Sequence, residues 1–278
     1  MRNAILHIAS QLHAVYPSDE AEALAWWIAE EMSGLSRTEL QFGCKDTTFL
    51  RNTQNIIDRL LQFEPIQYIF GHTLWNGLDL KVTSATLIPR PETAELVERI
   101  NISSPFREKS ELGLNVLDIG TGSGCIAIAL KKAHPEWRVT GIDFSPQAIE
   151  VAKENARRND VEVEFHVADI FSDEIEHFGT FDIALSNPPY ICEREKKDMR
   201  PNVLNYEPSS ALFVPDNDPL LFYRRISSLH LGKYLYFEIN ESFAFETKEL
   251  LGKEGYIDIK IAKDFYGKDR FIEGRMAK

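Results

Sequence analysis

An apolar strand that runs directly into a glycine-rich turn narrows the possible folds of this chain more sharply than any other segment. It spans residues 115–124, reads NVLDIGTGSG, and is followed by a helical pattern that begins at Cys125. A strand, a glycine turn and a helix in this order form the place where an α/β sheet binds nucleotides. The glycine spacing is G-x-G-x-G, and Cys125 stands where the dinucleotide fingerprint has its third glycine. A pyrophosphate cradle is therefore not specified, and adenosyl ligands without pyrophosphate remain possible.

After about residue 86 the sequence alternates between apolar runs of strand length and amphipathic helical segments. This alternation predicts an α/β fold with a seven-stranded, mostly parallel sheet that is covered on both faces. Only residues 264–269 separate the last two strands, which is too short for a helical crossover, so we expect that pair to be antiparallel. The predicted strands are 116–119, 139–144, 161–167, 181–186, 234–239, 256–261 and 270–276, and the predicted helices are 125–133, 146–159, 219–229 and 243–253.

The N-terminal region has a different pattern, with apolar residues at the spacing of a helix face. It predicts three helices, at 3–16, 21–32 and 48–63, with Ser18 and Asp19 as the N-cap of the second. Further along, Asn76-Gly77 lies between two apolar stretches, which is the strongest short-range signal for a β-hairpin. We therefore predict a helical domain over residues 1–70, a hairpin linker over 71–85 and an α/β domain over 86–278.

Acidic residues outnumber basic ones by 43 to 31, which gives this chain of 278 residues a net charge of −12. That balance opposes a partner bound mainly through its phosphates. The three cysteines, Cys44, Cys125 and Cys192, are odd in number and never spaced as C-x-x-C, so neither a disulfide framework nor a zinc cluster is indicated. We expect a cytoplasmic chain without a metal site, an export signal or a membrane span.

Two aspartates follow predicted strands of the α/β region. Asp143 lies 19 residues after Gly124, where a carboxylate can accept hydrogen bonds from both ribose hydroxyls of a nucleoside. A solvent-facing strand end is the alternative reading of Asp143. Asp169, beside Ile170 at the end of the third strand, could meet an adenine amine, although aspartates are also common in loops.

The most specific signal is Asn187-Pro188-Pro189-Tyr190, directly after the apolar strand at 181–186. Two prolines fix two φ angles and remove two N–H donors, so the carbonyls of this turn are held rigidly as acceptors. The Asn187 side-chain oxygen and the Pro188 carbonyl can each accept one hydrogen of an NH₂ group, and Tyr190 offers a flat face to a planar amide or base. This arrangement suits methylation of a planar nitrogen. A proline-rich turn with Asn187 as a local cap is the alternative.

Residues 117–124 and 187–190 together resemble the class I S-adenosylmethionine-dependent methyltransferases that modify amino or amide nitrogens. More of the chain resembles one branch, the HemK/PrmC family of release factor glutamine methyltransferases. That likeness runs from about residue 64 to the C-terminus, whereas residues 1–63 match only as a helical bundle. The segments that carry it are 64–71, 87–93, 187–191 and 206–208, with Asp264, Gly267 and Arg270 near the end.

The resemblance implies a Rossmann-like catalytic domain and methyl transfer from S-adenosyl-L-methionine to the side-chain amide nitrogen, N5, of the glutamine in the Gly-Gly-Gln motif of peptide chain release factors. It implies that the helical domain recognises the substrate and that no metal takes part. We expect a monomer without a direct nucleic-acid or membrane partner. By motif, the cofactor would lie against Gly120, Thr121, Gly122, Ser123, Gly124, Asp143, Asp169, Ile170 and Asn187. The substrate glutamine would be held by Asn187, Pro188, Pro189 and Tyr190, with Asn187, Pro188 and Tyr190 as the catalytic group.

Two other functions remain open at this point. Methylation of adenine N6, cytosine N4 or guanine N2 is the first, because a base amine and a glutamine amide present similar NH₂ groups. The net charge of −4 over residues 1–85 (6 basic and 10 acidic) and of −8 over the remainder argues against a DNA-reading module, which is expected to carry a basic face. A non-catalytic cofactor-binding scaffold is the second, although a scaffold has no need for an acceptor pair directed at an amide.

Overall fold

The computed structural model describes residues 2–42, 48–103 and 113–277, which form two compact units. The smaller unit contains the described residues up to Gly71 together with Arg200–Tyr206, and the larger unit contains the rest. The smaller unit has one buried apolar cluster and the larger unit has two. Cys44 lies outside the described residues.

The described helices are distributed over both units. In chain order the α-helices are α1 (Arg2–Leu12), α2 (Ser18–Ser33), α3 (Arg37–Phe42), α4 (Gln54–Leu61), α5 (Ile66–Phe70), α6 (Pro91–Ile102), α7 (Cys125–Ala133), α8 (Pro146–Arg158), α9 (Pro201–Tyr206), α10 (Leu221–Ser228) and α11 (Ala244–Lys253). The 3₁₀ helices are Thr48–Asn52, Asp173–Phe178, Glu193–Asp198, Ser209–Ala211 and Glu241–Phe243. Among the described residues, no helix is both long and apolar enough to span a membrane.

The smaller unit is a helical bundle, as the apolar spacing predicts. Leu12 of α1, Ile28 of α2 and Leu40 of α3 are fully buried in one cluster. The N-cap prediction for the second helix is wrong, because α2 already begins at Ser18 and no side chain caps it. Pro17 precedes the helix with an extended ψ of 154°, and its carbonyl accepts the Ala21 N–H at 2.8 Å.

The prediction of one continuous helix over 48–63 is also wrong. A 3₁₀ helix, Thr48–Asn52, is followed after Thr53 by the separate helix α4. The Thr53 hydroxyl donates to the Leu50 carbonyl at 2.9 Å, a local bond that competes with a continuous helical ladder. Apolar spacing was a correct guide to the buried face, since Ile57 and Leu60 are both buried, but it does not reveal such an interruption.

A segment from much later in the chain completes the smaller unit. Arg200–Tyr206, which includes α9, clusters with the N-terminal helices. Arg200 pairs with Glu20 at 3.1 Å, and the Tyr206 hydroxyl donates to the Gln62 carbonyl at 2.9 Å. The helical unit is therefore discontinuous in sequence.

The larger unit is organised around a seven-stranded sheet with the order β10-β11-β9-β6-β3-β4-β5. Strands β9, β6, β3, β4 and β5 are mutually parallel, and β11 runs antiparallel to both β9 and β10. The predicted mostly parallel sheet and its antiparallel last pair are confirmed. The strands are β1 (His72–Trp75), β2 (Leu78–Lys81), β3 (Asn115–Ile119), β4 (Arg138–Asp143), β5 (Glu164–Val167), β6 (Phe181–Ser186), β7 (Ile191–Cys192), β8 (Phe213–Val214), β9 (Gly232–Glu238), β10 (Tyr256–Lys263) and β11 (Asp269–Met276).

Alternate residues of the central strands face opposite sides of the sheet, as the two-residue period of a strand requires. Val116 and Ile183 enter one buried cluster, and their neighbours Leu117 and Ala184 enter the other. Both faces are thus covered, which explains why these strands read as continuous apolar runs. The carboxyl ends of β3, β4, β6 and β9 consequently meet at one edge of the sheet, where the functional residues lie.

The predicted hairpin is confirmed as β1 and β2, joined by Asn76 and Gly77 with φ angles of 49° and 75°. Positive φ at both turn residues is what a two-residue type I′ turn needs. The hairpin packs within the larger unit, where the Trp75 indole donates to the Arg90 carbonyl at 2.8 Å. Its role as a linker stays a prediction.

Several elements of the larger unit differ from the sequence prediction, and the short strands β7 and β8 were not predicted. Helix α6 was not predicted, although Pro91 fits its first turn and the buried Leu96, Val97 and Ile100 have helical spacing. Strand β5 begins only at Glu164, three residues later than expected, because its ladder with β4 starts at the pair Thr140 and Glu164.

Candidate functional site: a cavity at the carboxyl edge of the sheet

The glycine turn after β3 forms the floor of the site through its backbone. The N–H groups of Gly120 and Thr121 both donate to the Ile142 carbonyl at 2.9 Å, which ties the turn to β4. Gly120, Gly122 and Gly124 all have positive φ. A Cβ at Gly124 would come within 3.0 Å of the Ala152 Cβ, so glycine is required there for close packing of α7 and α8. At Gly120 a Cβ would meet nothing within 4 Å and would fill open space in the cavity.

Asp143 ends β4 beside this turn. Its carboxylate accepts the Gly122 N–H and the Ser145 N–H, both at 2.9 Å, and Ser145 in turn caps α8 by accepting the Ala148 N–H. Burial raises the pKa of Asp143, an effect that the two backbone donors partly offset. A carboxylate has about four lone-pair positions, so capacity remains for hydroxyl donors from a ligand.

Asp118, inside β3, was not singled out from the sequence. It is fully buried, and its Oδ2 accepts the Thr121 hydroxyl at 2.7 Å and the Ala127 N–H at 3.2 Å. Its Oδ1 has no hydrogen-bond partner among the described residues. Burial raises the pKa of Asp118 to about 7. A half-paired carboxylate directly behind the glycine turn favours a positive charge nearby.

The far end of the cavity is apolar and partly aromatic. Ile170 is buried there, and Asp169 beside it is exposed, with its carboxylate accepting the Phe171 N–H at 2.9 Å. Phe144 and Phe171 also line the cavity, and the Phe171 ring meets the Phe222 ring edge-on at a centroid distance of 5.3 Å. Neither aromatic residue was selected from the sequence, although each directly follows a selected residue, Asp143 or Ile170. Flat apolar walls with a polar neighbour suit an adenine base.

Asn187 begins the turn after β6, on the other side of the glycine loop. The preceding Ser186 hydroxyl donates to the Ile119 carbonyl at 2.6 Å, which fixes the end of β6 to the end of β3. The Asn187 side-chain NH₂ donates to the Thr93 hydroxyl of α6 at 3.1 Å. Because the amide nitrogen faces Thr93, the amide oxygen is left as an acceptor.

Thr93 also contacts a buried glutamate, which no sequence pattern singles out. Glu238, at the end of β9, is 2% exposed and accepts the Thr93 hydroxyl at 2.8 Å and the Tyr190 hydroxyl at 2.9 Å. Burial raises the pKa of Glu238, while both hydrogen bonds and the charge of Arg270 lower it. Burial and the nearby Glu238 charge hold the pKa of Tyr190 well above its ordinary value.

The segment before α6 forms another wall of the cavity. Within it, Arg90 pairs with Glu207 at 2.6 Å, and Glu207 also accepts the Ile88 N–H at 3.2 Å. The Glu207 side chain is 1% exposed, so this pair is a buried anchor for the wall. Both residues lie in segments that carry the family resemblance, but their pairing could not be deduced from sequence.

These elements enclose one cavity of about 810 Å³, inside the range of roughly 300–1,000 Å³ in which proteins bind small molecules. Gly124 and Tyr190 are not among its lining residues: Gly124 lies at the start of α7, and Tyr190 packs against the apolar cluster and contacts Glu238. The expected site residues that do line it are Gly120, Thr121, Gly122, Ser123, Asp143, Asp169, Ile170, Asn187, Pro188 and Pro189.

The lining fits S-adenosylmethionine. The buried Asp143 carboxylate can accept ribose hydroxyls, and Ile170 and Phe171 offer apolar surface to a base. A Cβ at Gly120 would meet nothing within 4 Å, which leaves room beside the glycine turn. No pyrophosphate cradle is needed for this ligand. The acceptor pair at Asn187 and Pro188 borders the same cavity, so a cofactor and a planar NH₂ group have room to meet.

Solved structures share this fold. The hMettl16 catalytic domain, in complex with the MAT2A 3′UTR hairpin 6, matches with a TM-score of 0.55 at 17% identity over 73% of this chain and 77% of that chain. A methyltransferase from Pyrococcus furiosus matches with a TM-score of 0.52 at 21% identity over 81% of this chain and 99% of that chain. At these identities the likeness shows a shared fold, which in the second structure is that of a methyltransferase.

Sequence comparison shows which family the chain belongs to. Family profiles match at residues 3–71, described as a PrmC N-terminal domain, and at residues 110–238, described as a methyltransferase domain. Proteins named release factor glutamine methyltransferase are 40% identical in Bacteroides thetaiotaomicron (98% of this chain, 99% of that protein) and 41% identical in Flavobacterium psychrophilum (98% of each). The chain belongs to the release factor glutamine methyltransferase family.

Proposed function

We propose that this chain methylates the side-chain amide nitrogen of a glutamine, the one in the Gly-Gly-Gln motif of peptide chain release factors. Membership of the family supports the substrate. The observation that carries the chemistry is the hydrogen bond from the Asn187 NH₂ to Thr93, because it leaves the Asn187 oxygen as an acceptor on the cavity that the glycine turn also lines.

A primary amide nitrogen is a poor nucleophile because its lone pair is delocalised into the carbonyl. In the proposed mechanism, the Asn187 oxygen and the Pro188 carbonyl each accept one N–H of the substrate amide. The two acceptors orient the nitrogen and favour pyramidal character as its lone pair attacks. S-adenosylmethionine, when bound, would supply the methyl group: the N–CH₃ bond would form as the S–CH₃ bond breaks, and the sulfur would leave as the neutral thioether S-adenosylhomocysteine. Positioning and electrostatics then provide most of the rate enhancement, and the proton that the amide nitrogen loses passes to water.

The remaining residues of the cavity divide between the two ligands in this proposal. Asp143 holds the ribose, the glycine turn borders the methionine part, and Asp169 with Ile170 borders the base. Pro188 and Pro189 keep the acceptor carbonyls rigid. We assign Tyr190 to support of the turn rather than to contact with the glutamine, because its hydroxyl is engaged by Glu238.

We also propose that the helical unit recognises the release factor and that the chain acts as a cytoplasmic monomer without direct contact to nucleic acid. The net charge of −12 supports a protein substrate over a phosphate-rich one. The buried free thiols of Cys125 and Cys192 are compatible with a reducing compartment.

Incubation with labelled S-adenosylmethionine tests the proposed function. The samples contain a release factor, the same factor with its Gly-Gly-Gln glutamine replaced by alanine, duplex DNA, and ribosomal RNA. We expect label on the intact release factor alone. Label on the alanine variant or on nucleic acid would refute the glutamine assignment, and label on no sample would favour a non-catalytic scaffold.

A further inference from the structure

Side chains from two distant segments, Thr93 of α6 and Tyr190 of the turn after β6, donate to the buried carboxylate of Glu238. Glu238 accepts the Tyr190 hydroxyl on Oε1 and the Thr93 hydroxyl on Oε2, at 2.9 and 2.8 Å. The Thr93 oxygen accepts the Asn187 NH₂ at 3.1 Å. Two successive hydrogen bonds therefore link Asn187, at the cavity, through Thr93 to the buried Glu238. We call this hydrogen-bonded series the relay.

Counting protons fixes the direction of this relay. A threonine hydroxyl has a single proton, and here that proton is used in the bond to Glu238. Thr93 can then act only as an acceptor toward Asn187, so the asparagine must present its NH₂ to Thr93 and keep its oxygen for the other side. If Thr93 donated to Asn187 instead, the amide would turn over and present NH₂ toward the substrate NH₂, which cannot accept a hydrogen bond from it.

The surroundings of Glu238 suit a carboxylate that accepts on both oxygens. Arg270 places a positive charge near it and is itself held by Asp264 at 3.2 Å. Burial and the charge of Glu92 oppose ionisation, whereas Thr93, Tyr190 and Arg270 favour it. From a third side, the Tyr223 hydroxyl donates to the Glu238 backbone carbonyl at 3.2 Å and fixes the end of β9.

We propose that Glu238 is a positioning residue, which through Thr93 sets the Asn187 amide so that its oxygen faces the substrate, and through Tyr190 secures the turn that carries Pro188. The consequence for catalysis rests on the proposed function, whereas the orientation of Asn187 does not. Glu238 touches neither ligand in this arrangement. Its effect is to remove one of the two orientations that an asparagine amide could otherwise adopt.

The first test removes and restores the Thr93 hydroxyl. Thr93→Val keeps the shape but deletes the relay, and we expect kcat for release factor methylation to fall by about 10-fold to 100-fold. The Kd for S-adenosylmethionine should stay within about 3-fold, because the glycine turn and Asp143 are unchanged. Thr93→Ser restores a hydroxyl and should recover most of kcat. Thr247→Val, which deletes another buried hydroxyl bonded only to the Phe243 carbonyl, is the control for a general effect on packing.

The second test replaces the anchor. The Glu238→Gln side chain can offer an NH₂ to Thr93, which frees the Thr93 proton for the Asn187 oxygen and reverses the relay. We expect a fall in kcat similar to that of Thr93→Val. The variant that combines Thr93→Val with Glu238→Gln should have a kcat only slightly below that of either single variant, because both changes break the same relay. Effects on kcat that multiply would show that the two residues act independently and would overturn the proposal.

The third test observes the orientation of Asn187 without using activity. In a ¹H–¹⁵N spectrum, the side-chain NH₂ signal of Asn187 is identified by its absence in Asn187→Asp. We expect this signal to shift in Thr93→Val and Glu238→Gln and to return near its original position in Thr93→Ser. An unmoved signal in Thr93→Val would overturn the relay. A wild-type enzyme that labels no release factor would refute the proposed function alone, and the spectra would still decide on the relay.

Discussion

The two halves of the cavity are constructed in different ways. On the cofactor side, one continuous segment contributes most of the hydrogen bonds: the glycine turn, the Asp143 carboxylate at the end of β4 and the cap of α8 all lie between Ile119 and Ala148. On the amide side, the Asn187 side chain at the surface of the cavity depends on partners from α6 and β9. Asn187 is 94 residues from its partner Thr93, and Thr93 is 145 residues from its own partner Glu238.

This difference implies different sensitivities. In the proposed function the residues of this segment hold the cofactor, so changes to them should weaken cofactor binding. The amide side depends on the orientation of one side chain, so changes there affect the chemical step instead. Four substitutions test this distinction.

The largest effect is expected for Asn187→Ala. It removes one of the two acceptors that hold the substrate NH₂, so kcat should fall by about 100-fold to 1,000-fold. The Kd for S-adenosylmethionine, measured by calorimetry, should change by less than about 3-fold. An equal loss of both quantities would mean that the two halves are not separable.

Asp143→Ala is the corresponding change on the cofactor side. It removes the acceptor for the Gly122 and Ser145 N–H groups and for ligand hydroxyls, so we expect the Kd for S-adenosylmethionine to weaken by about 10-fold to 100-fold. At saturating cofactor, kcat should fall much less. Glu150→Ala, an exposed change on α8, is the matched control and should leave Kd unaltered.

A smaller effect, on stability, is expected for Asp118→Asn. The pKa of Asp118 is raised from 3.8 to about 7, so between these pH values the folded protein keeps a proton that the unfolded chain has lost. Wild-type stability should therefore fall as pH rises from about 4 to about 7.

The asparagine variant lacks this penalty. Its Tm relative to wild type should rise across that window, on the order of 5 to 10 °C, and level off above pH 7. Calorimetry at several pH values measures this difference. A constant difference between pH 4 and 7 would contradict the raised pKa.

Ser145→Ala should give the smallest change. Loss of the cap on α8 costs about 1 kcal/mol, which corresponds to a fall in Tm of roughly 2 to 4 °C, while the Kd for S-adenosylmethionine stays within about 2-fold. Thermal denaturation of Ser145→Ala is compared with that of Ser228→Ala, which loses an exposed hydroxyl that caps no helix N-terminus. The difference in Tm between the two variants is the effect of the cap. A much weaker Kd would show that the cap also shapes the ligand site.

The same contrast explains how far sequence could lead. The glycine turn and Asp143 could be selected because their spacing is local. The bounds of β6 and α7 were predicted as observed, because Asn187 ends the apolar pattern of β6 and Gly124 directly precedes that of α7. Thr93 and Glu238 could not be linked to Asn187, since they are brought together by the register of β6 beside β9 and by the packing of α6 against β9. Phe171 and Asp118 were within reach, because each lies inside or beside a segment already identified.

The discontinuity of the helical unit has a consequence for synthesis of the chain. Its last helix, α9, is made only after the whole of His72–Met199. At roughly 5–20 residues per second, the 128 residues of that stretch take about 6 to 26 seconds on the ribosome. During this interval the ion pair of Glu20 with Arg200 and the hydrogen bond of the Gln62 carbonyl with Tyr206 cannot form. The first unit to emerge is therefore among the last to be completed, and an N-terminal fragment that stops at Gly71 lacks part of its own fold.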